Sequence, residues 1–482
     1  MKKLFVLLFS LKIAAAAAQT IETSDETFVG NAEGYGIIGK YNDRVLFFIL
    51  DHAVVKTRAY DSKMRKLWER ELEPDRKNSA VVLEVVGSRQ DFNVVYQFRR
   101  KNHNYIKIHK YDGQAKLLDS TTVYDWGKNT FPPLLKSQLS EDKKAILIYE
   151  IEDNHRINAI AVSLDSLRPI WQHSFDEREW YDEEHEHFKQ IVFNNRTELY
   201  IIREEDNRPS VLERHHFKVK KYTPEGDETT FALPLSEAVT FDVKFSFDNA
   251  NQKLVAAGLY NPKSFARAEG YFFFALPPQY ADGMTFLKIL QPFDNEFVAS
   301  VIGKKASDVK NRGLVDLKVQ EIVHRRDGGI LAIVEQVRIV ERRSSSVSSR
   351  YLPRGSDIGL SATDYYYDNV LAISLAVDGT THWKSVFYKK QMSQDDDARY
   401  ASYFLVKTPA ALRFLFNEEI ERATTVSEYV LNGSGASERH AILNTEGQAL
   451  YLRFRDALQV GANEIIVPSD DHRRVKLLRI QY

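Results

Sequence analysis

One pattern constrains this chain more than any other: a cycle of four short β-forming runs, joined by tight turn signals, that starts over again and again. The first cycle reads as Gly36 to Tyr41, Arg44 to Leu50, Ala53 to Tyr60 and Lys66 to Leu72. The same cycle is read again from about Ala80, Pro133, Phe188, Val239, Leu314, Ala401 and Leu450, which makes eight starts. Almost nothing has the three-to-four spacing of a long amphipathic helix. The second run is often apolar throughout, as in Val45 to Leu50, Ala145 to Ile148 and Ile330 to Val334. An antiparallel strand with one wet face alternates; a strand that does not alternate is dry on both sides. Sheets stacked face to face around a ring meet that condition, and the prediction is an all-β propeller of eight four-stranded blades, with seven as the alternative. Regular spacing alone does not fix how sheets stack, and a sandwich or a pair of β domains satisfies it too.

The hairpin between the third and fourth runs carries the most specific repeat. Tyr60-Asp61 precedes Trp68, Leu164-Asp165 precedes Trp171, and Val377-Asp378-Gly379 precedes Trp383; Tyr111-Asp112-Gly113 repeats the turn without the Trp. Asp tolerates turn geometry and accepts bonds from its own downstream amides, and a Trp on the outer strand offers an apolar plate to the next blade. On these residues the chain resembles pyrroloquinoline-quinone-type propellers and the related envelope-scaffold propellers, whose blades carry a Leu-Asp turn, then Thr-Gly, then Trp. The Thr-Gly pair is missing here, and no ligands for a quinone or its calcium can be placed. The last cycle, Leu450 to Tyr482, has room for three strands, and Ile21 to Val29 is an unassigned extended segment near the start. Pairing the two ends would close the ring and remove the exposed sheet edges.

Residues 325 to 329 (Arg-Arg-Asp-Gly-Gly), 364 to 368 (Asp-Tyr-Tyr-Tyr-Asp) and 394 to 397 (Gln-Asp-Asp-Asp) resemble an uncharacterised family of exported Bacteroidota proteins over roughly 240 to 482. That likeness implies an envelope location and no chemistry. The start of the chain agrees with it. Met1-Lys2-Lys3, the apolar run Leu4 to Leu11 and the tract Ala14 to Ala18 have the order of a secretory signal peptide, with cleavage expected after Ala18. The expected organisation is a signal peptide over 1–18 and one propeller over 19–482, with no membrane span and an insertion loop at 342–363. There is no cysteine, which excludes disulfides, thiol nucleophiles and Cys-ligated metals. With 66 Lys and Arg against 67 Asp and Glu, nothing favours nucleic acid as a partner.

In the predicted cycle, second-to-third-strand loops and blade-to-blade loops open on one end of the ring, the top face, and long loops on a rigid scaffold are where binding resides. The longest, Arg342 to Thr363, holds Arg342, Arg343, Arg350 and Arg354 among serines. It reads either as a disordered insertion or as a recognition loop for carboxylate or phosphate groups. Asp395, Asp396 and Asp397 lie nearby and read as turn residues or partners of the arginines, their spacing differing from a calcium loop. Tyr365, with Tyr366 and Tyr367, is placed either on a sugar ring or in a strand. His185 and His187 share a face of an acidic stretch without further zinc ligands, and His215 and His216 point to opposite faces of a strand. There is no Gly-x-Ser-x-Gly elbow, phosphate-binding glycine loop or His-Glu-x-x-His helix. No cofactor is expected, and no catalytic residue can be named. The leading expectation is a non-catalytic propeller, periplasmic or at the cell surface, that binds another envelope protein. The alternative is a carbohydrate or small-ligand protein, possibly glycan-active, that uses the axial pocket.

Overall fold

The computed structural model describes residues 19–30, 32–74, 80–128, 131–153, 155–177, 188–281, 283–310, 313–343, 361–420, 425–445, 448, 450–471 and 473–482. They form eight antiparallel sheets whose strands follow sequence order from one edge to the other. Blade 1 comprises Gly34–Tyr41, Arg44–Asp51, Val54–Tyr60 and Lys66–Leu72, matching the first predicted cycle within two residues at each end. The first strands of neighbouring blades lie against one another, as Gly34–Tyr41 does against Ala80–Gly87 on one side and Leu458–Gly461 on the other. First strands therefore ring the axis, and fourth strands lie outermost.

Blade 8 supplies only Leu458–Gly461, Glu464–Asp470 and Arg474–Gln481 from the C-terminal end. Its outer strand is Thr20–Thr23, paired antiparallel with Arg474–Gln481 from Thr20↔Gln481 to Thr23↔Leu478. Beyond it, Ser24 Oγ accepts the Leu477 N–H at 2.9 Å, and Thr27–Phe28 returns to pair with Val475 and Arg474. The two ends of the described chain thus share one sheet, and the eight-residue strand Arg474–Gln481 is covered rather than left as its edge.

Packing follows from the non-alternating second strands. In Ala145–Glu152, Ile146 and Ile148 enter the core between blades 2 and 3, while Ala145 and Leu147 enter the core between blades 3 and 4. Leu331 and Ile333 face blade 7, and Ile330, Ala332 and Val334 face blade 5. Successive side chains of one strand serve two different interfaces, which is why both parities are apolar. Each fully buried branched side chain contributes about 1.5–3 kcal/mol.

The Asp turns close their own hairpins, and the Trp plates fasten neighbouring blades. Asp61 Oδ1 accepts the Lys63 and Arg65 amides, each at 2.9 Å, and Asp112 Oδ1 accepts those of Gln114 and Lys116. Trp171 Nε1 donates to Thr197 O of the next blade at 2.8 Å, and Trp383 Nε1 donates to Gly433 O of the next blade at 3.1 Å. Gly435 is required there: its φ is 87°, and a Cβ would lie 2.5 Å from the Trp383 ring. The indole N–H, a donor with no acceptor function, is satisfied by a turn carbonyl that would otherwise be under-bonded.

Candidate functional site

Blade 6 departs from the pattern of the other seven. Its second strand runs Ile330–Arg343 and its third Ser361–Leu375, nearly twice the length of their counterparts in blade 1. Up to Glu335 they belong to the four-stranded blade; from Val337↔Tyr367 to Arg343↔Ser361 they continue as a hairpin past the top face. A short strand, Gln391–Gln394, pairs with Asp364–Tyr367 and completes a three-stranded flap. Arg342 and Thr363, expected in a loop, lie in strands. The arginine pairs with Asp364 across the flap, Nε 2.6 Å from Oδ2 and Nη2 donating to Oδ1 at 2.7 Å, a bidentate contact that planar guanidinium and carboxylate groups favour. Arg343 takes its place in the backbone ladder opposite Ser361. Arg350 and Arg354 lie outside the described residues, as do His185 and His187.

Tyr365, Tyr366 and Tyr367 are strand residues. Arg338 stacks over Tyr366 at 4.4 Å from the ring centroid, and the Tyr365 hydroxyl donates to Asp397 Oδ1 at 3.4 Å. The three aspartates form a turn that fastens the flap's third strand. Asp395 Oδ1 accepts the Thr363 amide at 2.7 Å while its own amide donates to Thr363 O at 3.0 Å. Asp396 Oδ1 accepts the Ala398 amide at 2.9 Å. Asp395 and Asp397 adopt φ of 52° and 55°, conformations that Asp tolerates better than most residues. Arg399, the nearest cation in sequence, donates its Nε to the Asp396 carbonyl oxygen. Among the described residues no three His, Asp or Glu side chains are grouped as a metal site.

Where the flap leaves the blade, the register slips between Glu335 and Val337, and bulges of this kind bend a strand and re-aim its side chains. Asn369 bridges the break, its Nδ2 donating to Gln336 Oε1 and to Val301 O of the helix Asn295–Ile302. Below the break, Lys389 Nζ lies 2.7 Å from Glu335 Oε1, with both side chains at most 1% exposed. Lys389 also donates to Tyr367 O at 2.7 Å and Gln391 Oε1 at 2.9 Å. Glu335 Oε2 accepts Ser402 Oγ at 2.7 Å and Gln320 Nε2 at 3.0 Å. Burial holds the Lys389 ammonium below its ordinary pKa, opposed by Glu335. Sequence reasoning missed this pair; the one available signal was a glutamate at the end of a run otherwise dry on both faces.

Beside the pair, a cavity of about 540 Å³ opens between the first strands of blades 6 and 7, lined by Lys318, Gln320, Glu321, Tyr367, Tyr403, Phe404, Lys407 and Arg455 among others. Arg455 stacks over Tyr367 at 4.6 Å from the ring centroid. Burial, then Glu335 and Glu321, push the Tyr403 hydroxyl well above its ordinary pKa, so it is a donor at neutral pH. A second opening of about 860 Å³ is bordered by the first strands of blades 1 and 8 and the first turns of blades 2 and 3.

His215 and His216 do point apart. His215 is wholly buried, Nε2 2.9 Å from Glu204 Oε1 and Nδ1 2.7 Å from Ala238 O. These contacts tie the second-to-third-strand loop of blade 4 to the start of blade 5. His216 faces Glu205 at 3.4 Å.

No protein-family model matches the sequence, and no curated protein matches it. Among solved structures, dipeptidyl peptidase 4 of Porphyromonas gingivalis aligns with a TM-score of 0.46 at 10% identity, over 92% of this chain and 57% of that one. The Nup133 β-propeller domain of Vanderwaltozyma polyspora aligns at 0.40 and 9%, over 97% and 98%. The β-propeller domain of the Trilobed protease from Pyrococcus furiosus aligns at 0.36 and 10%, over 85% and 98%. This chain spans a little over half the length of the Porphyromonas peptidase. The eight-bladed architecture itself rests on sheet order and end pairing.

Proposed function

We propose that this chain is a non-catalytic propeller of the bacterial cell envelope, exported by its N-terminal segment, that holds another protein on its top face. The observation that carries this reading is the open edge of the flap. Val337 donates its amide to Asp316 O at 2.6 Å, which by the two-residue period turns the backbone groups of Ile339 and Glu341 outward. No described strand pairs with that edge, and Ile339 is 54% exposed on it. An edge with a free backbone ladder and an exposed apolar side chain is suited to adding an extended strand from a partner. The bidentate Arg342–Asp364 contact and the aspartate turn stiffen the flap, which lowers the ordering cost of such docking.

The test is crosslinked capture from cells with the wild-type protein and with Ile339→Pro. Proline removes an outward N–H and leaves the inward ladder in place. A partner recovered with wild type and lost with the variant, at unchanged melting temperature, supports the reading. Equal recovery by both, or no specific partner from either, would defeat it. N-terminal sequencing of the exported protein is expected to begin at Gln19, one residue before the strand that closes the ring.

A further inference from the structure

The cavity between blades 6 and 7 has a charge balance that the flap does not explain. It is lined by three cations, Lys318, Lys407 and Arg455, and one acid, Glu321. That acid is engaged: Lys407 Nζ donates to Glu321 Oε1 at 2.6 Å. Behind the wall, Glu335 is matched by Lys389. Neither Lys318 nor Arg455 has a carboxylate within ion-pair distance among the described residues, and Arg455 is held by the face of Tyr367. Stacking a guanidinium on a ring uses its face and leaves the in-plane N–H groups for an acceptor. Tyr403 adds a neutral hydroxyl, and Phe404, Leu405 and Phe454 supply apolar wall. A volume of about 540 Å³ is in the range of small-molecule sites.

We propose that this cavity binds a small organic carboxylate, its carboxyl group in the fork of Arg455 and within the field of Lys318, its carbon body against the aromatic wall. A cationic ligand would meet two positive charges that no carboxylate of the lining pairs, Asp242 and Asp456 acting on them only through space. A bare inorganic oxyanion would leave the apolar wall uncovered. The site needs no partner protein: the flap supplies Tyr367 to its wall, but the open edge of the flap contributes no side chain to it.

The experiment is calorimetric titration of the purified protein with three matched pairs: N-acetylglycine and N-acetylglycinamide, benzoate and benzamide, D-glucuronate and D-glucose. Inorganic phosphate completes the set. At least one carboxylate is expected to bind while its uncharged counterpart does not, with affinity falling as salt is raised. Arg455→Gln is expected to weaken that binding by about tenfold or more, the loss of a charge-assisted fork. Lys318→Met should weaken it less, since a lysine ammonium offers no planar fork. Arg455 is solvent-exposed, so its variant should fold, and an unchanged melting curve checks that it does. The proposal falls if no carboxylate binds, if amides bind as well as acids, if phosphate binds more tightly than all of them, or if Arg455→Gln binds as wild type does.

Discussion

Lys389 and Glu335, 54 residues apart in the sequence, meet as a 2.7 Å ion pair with almost no exposed surface at the point where the blade 6 flap departs from the ring. Desolvating two charges consumes most of what their attraction returns, so the pair contributes little net stability, while an unmatched survivor is costly. Lys389→Met alone should therefore lower unfolding stability by about 3–5 kcal/mol in denaturant titration. Adding Glu335→Leu should recover most of that loss. A double variant as unstable as the single one would show that the hydrogen bonds from Ser402 and Gln320, not the unpaired charge, set the cost.

The four described tryptophans offer a comparison. Trp171 is buried and its N–H is bonded to Thr197 O; the N–H of Trp68 is buried with no partner. Replacing either by Phe removes a donor and some volume, but only at Trp171 does it orphan an acceptor. Trp171→Phe is expected to cost about 1–2 kcal/mol more than Trp68→Phe in paired denaturation curves.

Ring closure depends on a four-residue strand. Removing residues 19 to 24 would expose the backbone edge of Arg474–Gln481, eight residues with Val475, Leu477, Leu478 and Ile480 in the core. An unpaired strand of that length templates association. Size-exclusion chromatography with light scattering should show oligomers or aggregate for the truncated protein and a single species for the 19–482 protein. A truncated protein that elutes as the longer one does would refute the role assigned to this strand.

His216 and Glu205 give the stability a pH signature. Glu205 is held at about 2, first by its bond to His216, then by Arg203 and Lys218 against burial; Glu205 in turn raises His216 above its ordinary value. The carboxylate's contribution is present above its unfolded value and is lost as pH falls toward 2. The imidazolium's is present below the unfolded histidine value and is lost as pH rises through the raised folded one. Their shared window lies between the ordinary carboxylate and histidine values, about pH 4.5 to 6.5. The melting-temperature difference between wild type and His216→Gln should be largest there and shrink on both sides. A difference that grows from pH 6 to 8 would reverse the assignment.

Strand order and end pairing were legible in the sequence, and eight blades were preferred to seven, because burial on both faces leaves its mark on the residue pattern. Ile146 and Leu147 are both apolar because two interfaces claim them, and three strands near one end with a spare one near the other fit the closure that the pairing of Thr20–Thr23 with Arg474–Gln481 makes. The Asp turns and Trp plates were legible for a similar reason: each acts on residues a few positions away or on the nearest turn of the next blade. Tertiary structure alone decided the flap and the cavity beside it. Arg342 looked like a loop residue because the segment after it is serine-rich, yet strand pairing extends to Arg343 and Ser361; Tyr365, read either on a sugar ring or in a strand, lies in the strand. Lys389, Glu335, Tyr403 and Arg455 belong to three different blades or their connections, and nothing local distinguishes them from solvated charges or ordinary core. Only the tertiary fold, which sets a blade 6 glutamate against a lysine 54 residues later in the same blade and opens a cavity toward blade 7 beside both, gives those side chains their chemistry.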